Sequence, residues 1–343
     1  MKTRFVYGFE LIRGQQQAIG LLTTLLRKGD IPHALVFTGI DGIGKQTAAK
    51  AMAMACNCAD PVPFSGSDAP EATTARINAC GRCRSCRRIL SDNHPDILYL
   101  RPSGNMIRIA LIRDLIGKLA LKPYAMGKRV VIIAESHTMN PEAGNALLKV
   151  LEEPPDNTLL ILTARQTSDL LPTIVSRCQQ IRFAPLKADL LIELLSANGA
   201  LTAEEAAAAA ALSGGSYSQA LNMVSEGWIL RRRWLVSEIR HLNDQSTTRL
   251  LALAEKLSAR KTSLPDTLTW LMGWYRDLMV YPLQPDQIVN RDLHPQIREA
   301  AAGENPQSLV GKLASVQSAL KALQANANPR LTMEDLVLQL AAA

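Results

Sequence analysis

An apolar run, Ala34–Thr38, ends directly at Gly39-Ile40-Asp41-Gly42-Ile43-Gly44-Lys45, and a helical pattern continues from there to about Ala55. A buried strand, a glycine-rich turn and a helix N-terminus are the parts of a phosphate cradle: backbone N–H groups converge on an anion and a lysine supplies a point charge. Such a unit commits the chain around it to a parallel sheet with crossover helices. Three more short, mostly branched apolar runs fit that sheet, Ile97–Leu100, Arg129–Ala134 and Leu159–Thr163, each separated from the last by helical patterning.

Strand signals stop after about Phe183, which bounds a first, α/β domain over residues 1–184. Residues 185–227, with an alanine run at Ala206–Ala211 and a break at Gly214-Gly215-Ser216, read as a small helical lid. Residues 228–343 hold all four tryptophans and long amphipathic segments punctuated by Pro265, Pro282, Pro285, Pro295 and Pro306, the pattern of a separate helical bundle. The expected class is therefore α/β plus all-α. With 47% hydrophobic but only 4% aromatic residues, the cores must be built mainly from Ala, Leu, Ile and Val. A net charge of +7 permits an anionic partner without specifying one. The opening residues mix Lys2, Arg4, Glu10 and Arg13 into their apolar positions, and no run approaches the roughly 18 apolar residues of a membrane span. A soluble, cytoplasmic protein without membrane contact is expected.

The phosphate loop departs from the form that hydrolyses nucleotides. Walker A needs Ser or Thr directly after the lysine to ligate Mg²⁺, but Gln46 stands there and Thr47 comes one place late, about 100° around the helix. The strand Val130-Val131-Ile132-Ile133 runs into Ala134 where the Walker B aspartate would sit, and only the following acidic residue, Glu135, is kept. Losing both metal contacts removes the main neutraliser of charge on a transferring phosphoryl group. Gly39, Gly44, Lys45 and Thr47 form the candidate nucleotide contacts of a degenerate loop, from which ATP/Mg²⁺ hydrolysis is not expected.

Five of the six cysteines lie close together, and Cys80, Cys83 and Cys86 form a C-x2-C-x2-C run that lets three thiolates converge on one ion. For the fourth ligand Cys58 ranks first, Cys56 second and His94 third. A closed four-sulfur set suits structural Zn²⁺, since it leaves no open coordination position. Arg82, Arg84, Arg87 and Arg88 offset its negative charge, with contact to DNA as the other reading. Arg231, Arg232 and Arg233 read as a solvated face, and the tryptophans as core or interface anchors.

Arg13-Gly14-Gln15, Ile31-Pro32-His33-Ala34, the cysteine run, Asn145-Ala146-Leu147-Leu148-Lys149 leading into Leu151-Glu152-Glu153-Pro154-Pro155, and Ser176-Arg177-Cys178 follow one another over residues 13–178. Together they resemble the bacterial clamp-loader subunits of the DNA polymerase III holoenzyme. The resemblance implies an AAA+ domain with a zinc module, a lid, and a C-terminal collar. It implies gamma/tau and delta subunits as partners, and through the assembly the sliding clamp and primer-template DNA. It also makes Arg177 an arginine finger that acts in trans. Gly214–Ser218 resembles the sensor 2 segment, with Ser218 in place of the usual arginine. Together with Gln46 and Ala134, this points to the family's non-hydrolysing delta-prime type. Two rivals stand beside it: a gamma/tau-type motor whose Thr47 and Glu135 rebuild a metal site, and a free-standing zinc-containing DNA-binding protein.

Overall fold

The computed structural model describes residues 8–64, 75–104, 106–124, 127–197, 201–225, 227–242, 245–259, 264–325 and 327–342. The chain divides into two compact units, Met1–Leu190 with Gly215–Ser218, and Leu191–Gly214 with Gln219–Ala343.

In the first unit the chain runs α1 (Gln16–Lys28), β1 (Ala34–Thr38), α2 (Lys45–Cys56), β2 (Val62–Pro63), β3 (Arg76–Asn78), α3 (Arg84–Leu90), β4 (Ile97–Leu100), α4 (Ile109–Leu119), β5 (Arg129–Ile133), α5 (Pro141–Glu152), β6 (Thr158–Ala164), α6 (Pro172–Val175) and β7 (Gln179–Arg182). Five strands form one parallel sheet in the order β4-β5-β6-β1-β7. Every residue of β1, β5 and β6 is buried, as a strand covered on both faces requires. Leu35, Phe37, Val130, Ile132, Leu159 and Ile161 pack on the side of α1 and α2, while Val36, Val131, Ile133, Leu160 and Leu162 pack on the side of α4 and α5. Each such side chain contributes about 1.5–3 kcal/mol by leaving water.

All four strands expected from apolar runs are present, β1 and β4 with the expected bounds and β5 and β6 with ends shifted by one residue. The fifth, β7, escaped the sequence reading because Gln179-Gln180-Ile181-Arg182 carries one apolar residue. It lies at the sheet edge, where only Ile181 is buried. The short antiparallel pair β2–β3 was also unforeseen. Local chemistry sets the ends of α5: Asn140 accepts from the Ala143 N–H at 3.1 Å, Pro141 opens the first turn, and Pro154-Pro155 prevents continuation.

From Ala188 onward the regular elements of the described residues are helices: α7 (Ala188–Ser196), α8 (Ala203–Leu212), α9 (Tyr217–Ser225), α10 (Trp228–Ile239), α11 (Thr247–Ser258), α12 (Leu264–Val280), α13 (His294–Ala301), α14 (Pro306–Gln324) and α15 (Pro329–Ala342). A reciprocal cap starts α8, with Thr202 Oγ1 accepting from the Glu205 N–H and Glu205 Oε2 from the Thr202 N–H. The second unit's core gathers Trp228, Trp270, Leu271, Trp274, Tyr275 and Leu278 against residues of α14 and α15. Asp277, fully buried, accepts from the backbone N–H groups of Val289 and Asn290 and from Asn290 Nδ2, fastening the stretch after α12. No helix among the described residues is long and apolar enough to cross a membrane.

Arg232 corrects the reading of its triplet as a solvated face. It is 2% exposed, its guanidinium lies 5.0 Å from the Trp228 ring and 5.6 Å from that of Trp270, and Nη2 donates to both Asp292 oxygens at 2.8 Å. The cause is helical spacing: Arg232 falls four residues after Trp228, on the same inward face. Asp292→Ala strands that charge and is expected to destabilise the protein by about 3–5 kcal/mol. Denaturant unfolding measures this, and a loss below about 1 kcal/mol, the scale of a surface pair, would deny the buried pair its role.

Candidate functional site

Three groupings in the first unit carry the sequence-predicted residues. In the first, β1 delivers the glycine loop to the start of α2. Gly42 has φ +78° and sits so close to residues 215–218 that a Cβ there would come within 2.4 Å of Ser216 Oγ. The carbonyl of Gly42 accepts from the N–H groups of Tyr217 (3.1 Å) and Ser218 (3.4 Å), so the sensor-2-like segment is bonded to the loop through its backbone. A cavity of about 470 Å³ lies over the loop, lined in part by Gly44, Lys45, Gln46, Thr47, Glu135 and Ser218.

Lys45 is 5% exposed and turns inward, donating from Nζ to the carbonyls of Gly39 and Ile40, the latter at 2.7 Å, and facing Asp41 Oδ1 at 3.4 Å. The other Asp41 oxygen, Oδ2, accepts from Arg165 Nε at 2.7 Å. Burial pushes the Lys45 ammonium below its ordinary range, with Asp41 opposing. Burial acts to raise Asp41, but Arg165 and Lys45 outweigh it and hold the carboxyl below the usual carboxylate range. Ala134 is buried, while Glu135 adopts φ +51° and donates its N–H to Thr163 Oγ1 at 3.1 Å. Thr163 was missed as a site residue. Its signal was a polar side chain directly after the apolar run Leu159–Leu162.

In the second grouping, the Sγ atoms of Cys58, Cys80, Cys83 and Cys86 all lie within 4.8 Å of one another. A tetrahedral zinc with Zn–S bonds of 2.3 Å separates its sulfurs by about 3.8 Å, so a small contraction brings this set onto one ion. Cys58 Sγ accepts from the Cys80 N–H, Cys80 Sγ from the Cys83 N–H and Cys83 Sγ from the Cys86 N–H, at 3.3–3.4 Å, and these bonds orient the sulfurs. Burial pushes Cys83 up, but the N–H groups of Cys86 and Ala59 overcome it and bring the thiol down to about 7. Cys56 is outside the set, and burial raises its thiol to about 11. His94 is outside it too, with Nε2 on Ser85 Oγ at 3.1 Å and Nδ1 accepting from the Asp96 N–H at 3.2 Å. Both ring nitrogens are thereby taken. Of the surrounding arginines, Arg82 pairs with Asp60 at 2.7 Å, and Asp60 also holds Arg76 at 2.6 Å.

In the third grouping, Arg177 follows α6 and is not among the residues around Lys45. It is partly exposed, with Nη2 on Glu152 Oε1 at 2.7 Å and Nη1 on the Thr173 carbonyl at 3.0 Å, while Cys178 is buried. A bridge from the end of α5 thus holds the guanidinium at the surface.

Residues 14–187 match the family model described as DNA polymerase III, delta subunit, and residues 226–342 match the model for the C-terminal part of that subunit. DNA polymerase III subunit delta′ of Pseudomonas aeruginosa is 34% identical over 258 residues, covering 74% of this chain and 74% of that protein. The chain belongs to the delta-prime family. The Bacillus subtilis delta′ subunit is 29% identical over 345 residues, 95% of this chain and 96% of that protein. The Escherichia coli delta′ subunit is 26% identical over 90% of this chain. Likeness to the Bacillus subtilis tau subunit, 33% over 184 residues, covers only 54% of this chain and 30% of tau. Membership of the delta-prime family therefore rests on both halves of the chain, whereas the likeness to tau spans little more than one.

Proposed function

We propose that this delta-prime-family chain is the non-hydrolysing subunit of a cytoplasmic clamp-loading assembly. It pairs with gamma/tau and delta subunits, and the assembly opens a sliding clamp and places it on primer-template DNA. The observation that carries the reading is the Lys45 cavity: it keeps a phosphate loop's shape while Gln46 and Ala134 stand where two metal contacts belong.

In this reading Arg177 leaves Glu152 and enters a neighbour's ATP site, where a planar, permanently charged guanidinium stabilises charge on the transferring phosphoryl group. Cys58, Cys80, Cys83 and Cys86 hold a structural Zn²⁺. The ion would tie the turn after α2, through Cys58, to the stretch from the end of β3 into α3, through Cys80, Cys83 and Cys86, and, with four sulfurs, has no position for substrate. Residues 1–184, 185–227 and 228–343 serve as the AAA+ domain, lid and collar.

The purified chain is expected to show no Mg²⁺-dependent ATP hydrolysis above a no-protein control. Mixed with a gamma/tau subunit, it is expected to raise that subunit's turnover. Clear turnover by the chain alone would transfer the motor role to it, with Thr47 and Glu135 as metal contacts.

A further inference from the structure

We propose that Asp41 is an internal anion that closes the Lys45 cavity to phosphate, and that removing this one carboxylate uncovers a metal-independent site for a polyphosphate anion. The inference rests on the reading that the cavity does not hydrolyse ATP, and it names the residue that keeps nucleotide out.

The two oxygens of Asp41 face two different cations, Oδ1 toward Lys45 at 3.4 Å and Oδ2 toward Arg165 at 2.7 Å. This is the bridging place a phosphate oxygen takes in a working loop, where a lysine and a second cation share one anion. Lys45 is also committed to the Gly39 and Ile40 carbonyls, so a phosphate must replace all of these contacts to recruit it. The charge balance points the same way. Among the described residues, those acting electrostatically on Lys45 are one cation, Arg165, and two carboxylates, Asp41 and Glu135, so with Lys45 itself the charges balance. These four side chains present an incoming polyanion with no net charge.

Asp41→Asn changes that balance by one full charge while keeping the side chain's size. Lys45 and Arg165 then lack their shared carboxylate, beside a helix that begins at Gly44 with no side chain capping its first N–H groups. The ligand class follows from the donors: an anion with several phosphate oxygens, accepted without Mg²⁺ because no hydroxyl follows the lysine.

The test is calorimetric titration of the full-length chain with inorganic pyrophosphate at low salt without added Mg²⁺. It compares wild type, Asp41→Asn, Asp41→Ser and Asp41→Asn combined with Lys45→Ala. Both single variants are expected to bind at least tenfold more tightly than wild type, and the double variant to lose that gain. Equal affinity in wild type and both single variants overturns the proposal, as does a gain that survives Lys45→Ala. Mg²⁺-ATP turnover by wild type alone overturns the non-hydrolysing reading as well. Unchanged pyrophosphate affinity without turnover removes Asp41's role only.

Discussion

Arg177→Ala is expected, under the proposed in-trans role, to lower single-turnover ATP hydrolysis at the neighbouring subunit's site by about 10³-fold in the reconstituted assembly. The magnitude follows from the chemistry: without a cation at the transferring phosphoryl group, the site keeps its metal and its lysine but loses the charge supplied from across the interface. Arg177→Lys should recover little, because an ammonium cannot present two parallel donors to phosphate oxygens. Folding should be almost untouched. The Arg177–Glu152 pair is partly exposed, and pairs of that kind contribute only about 0–1 kcal/mol. Equal single-turnover rates for wild type and Arg177→Ala, with the assembly intact by gel filtration, would falsify the in-trans role.

The second large effect is at the cysteines. Cys86→Ser is expected to reduce bound zinc from about one ion per chain to a small fraction of that, and to lower the melting temperature on the order of 10 °C. Cys86 is fully buried and supplies one of the four clustered sulfurs. Its loss opens the coordination sphere, and the binding energy of a structural zinc is folding energy for the segment that holds it. The parallel sheet has its own core, so β1, β5 and β6 should survive while the segment Cys80–Leu90 loosens. Cys56→Ser should keep its zinc. Metal analysis with calorimetric scans of both variants decides the matter: full zinc in Cys86→Ser, or loss of it in Cys56→Ser, contradicts the assignment.

The features legible in the sequence share one property: each is carried by neighbours along the chain. The apolar runs that became β1, β4, β5 and β6 have the length and branching of strands covered on both sides. Gly39–Lys45 marks a strand-to-helix turn because only such a turn needs those glycines before a lysine. Cys80, Cys83 and Cys86 announce convergence because three-residue spacing puts their sulfurs on one side of a single turn.

What only the tertiary structure decided were choices between partners distant in sequence. Spacing ranks Cys58 ahead of Cys56 and His94 as the fourth ligand, and the fold brings the Cys58 sulfur to the other three. Lys45 has a point charge in any reading, but its turn inward to Asp41, which Arg165 holds from 124 residues away, needs β6 beside β1. Arg232 looked like one of three surface arginines until Trp270 and Asp292 closed around it. The strand β7 exists because β1 offers an open edge, which its own four residues do not predict. Periodicity and motif spacing constrain a few turns of chain. Which distant groups meet is settled by packing the whole core at once, and that information lies in no single segment.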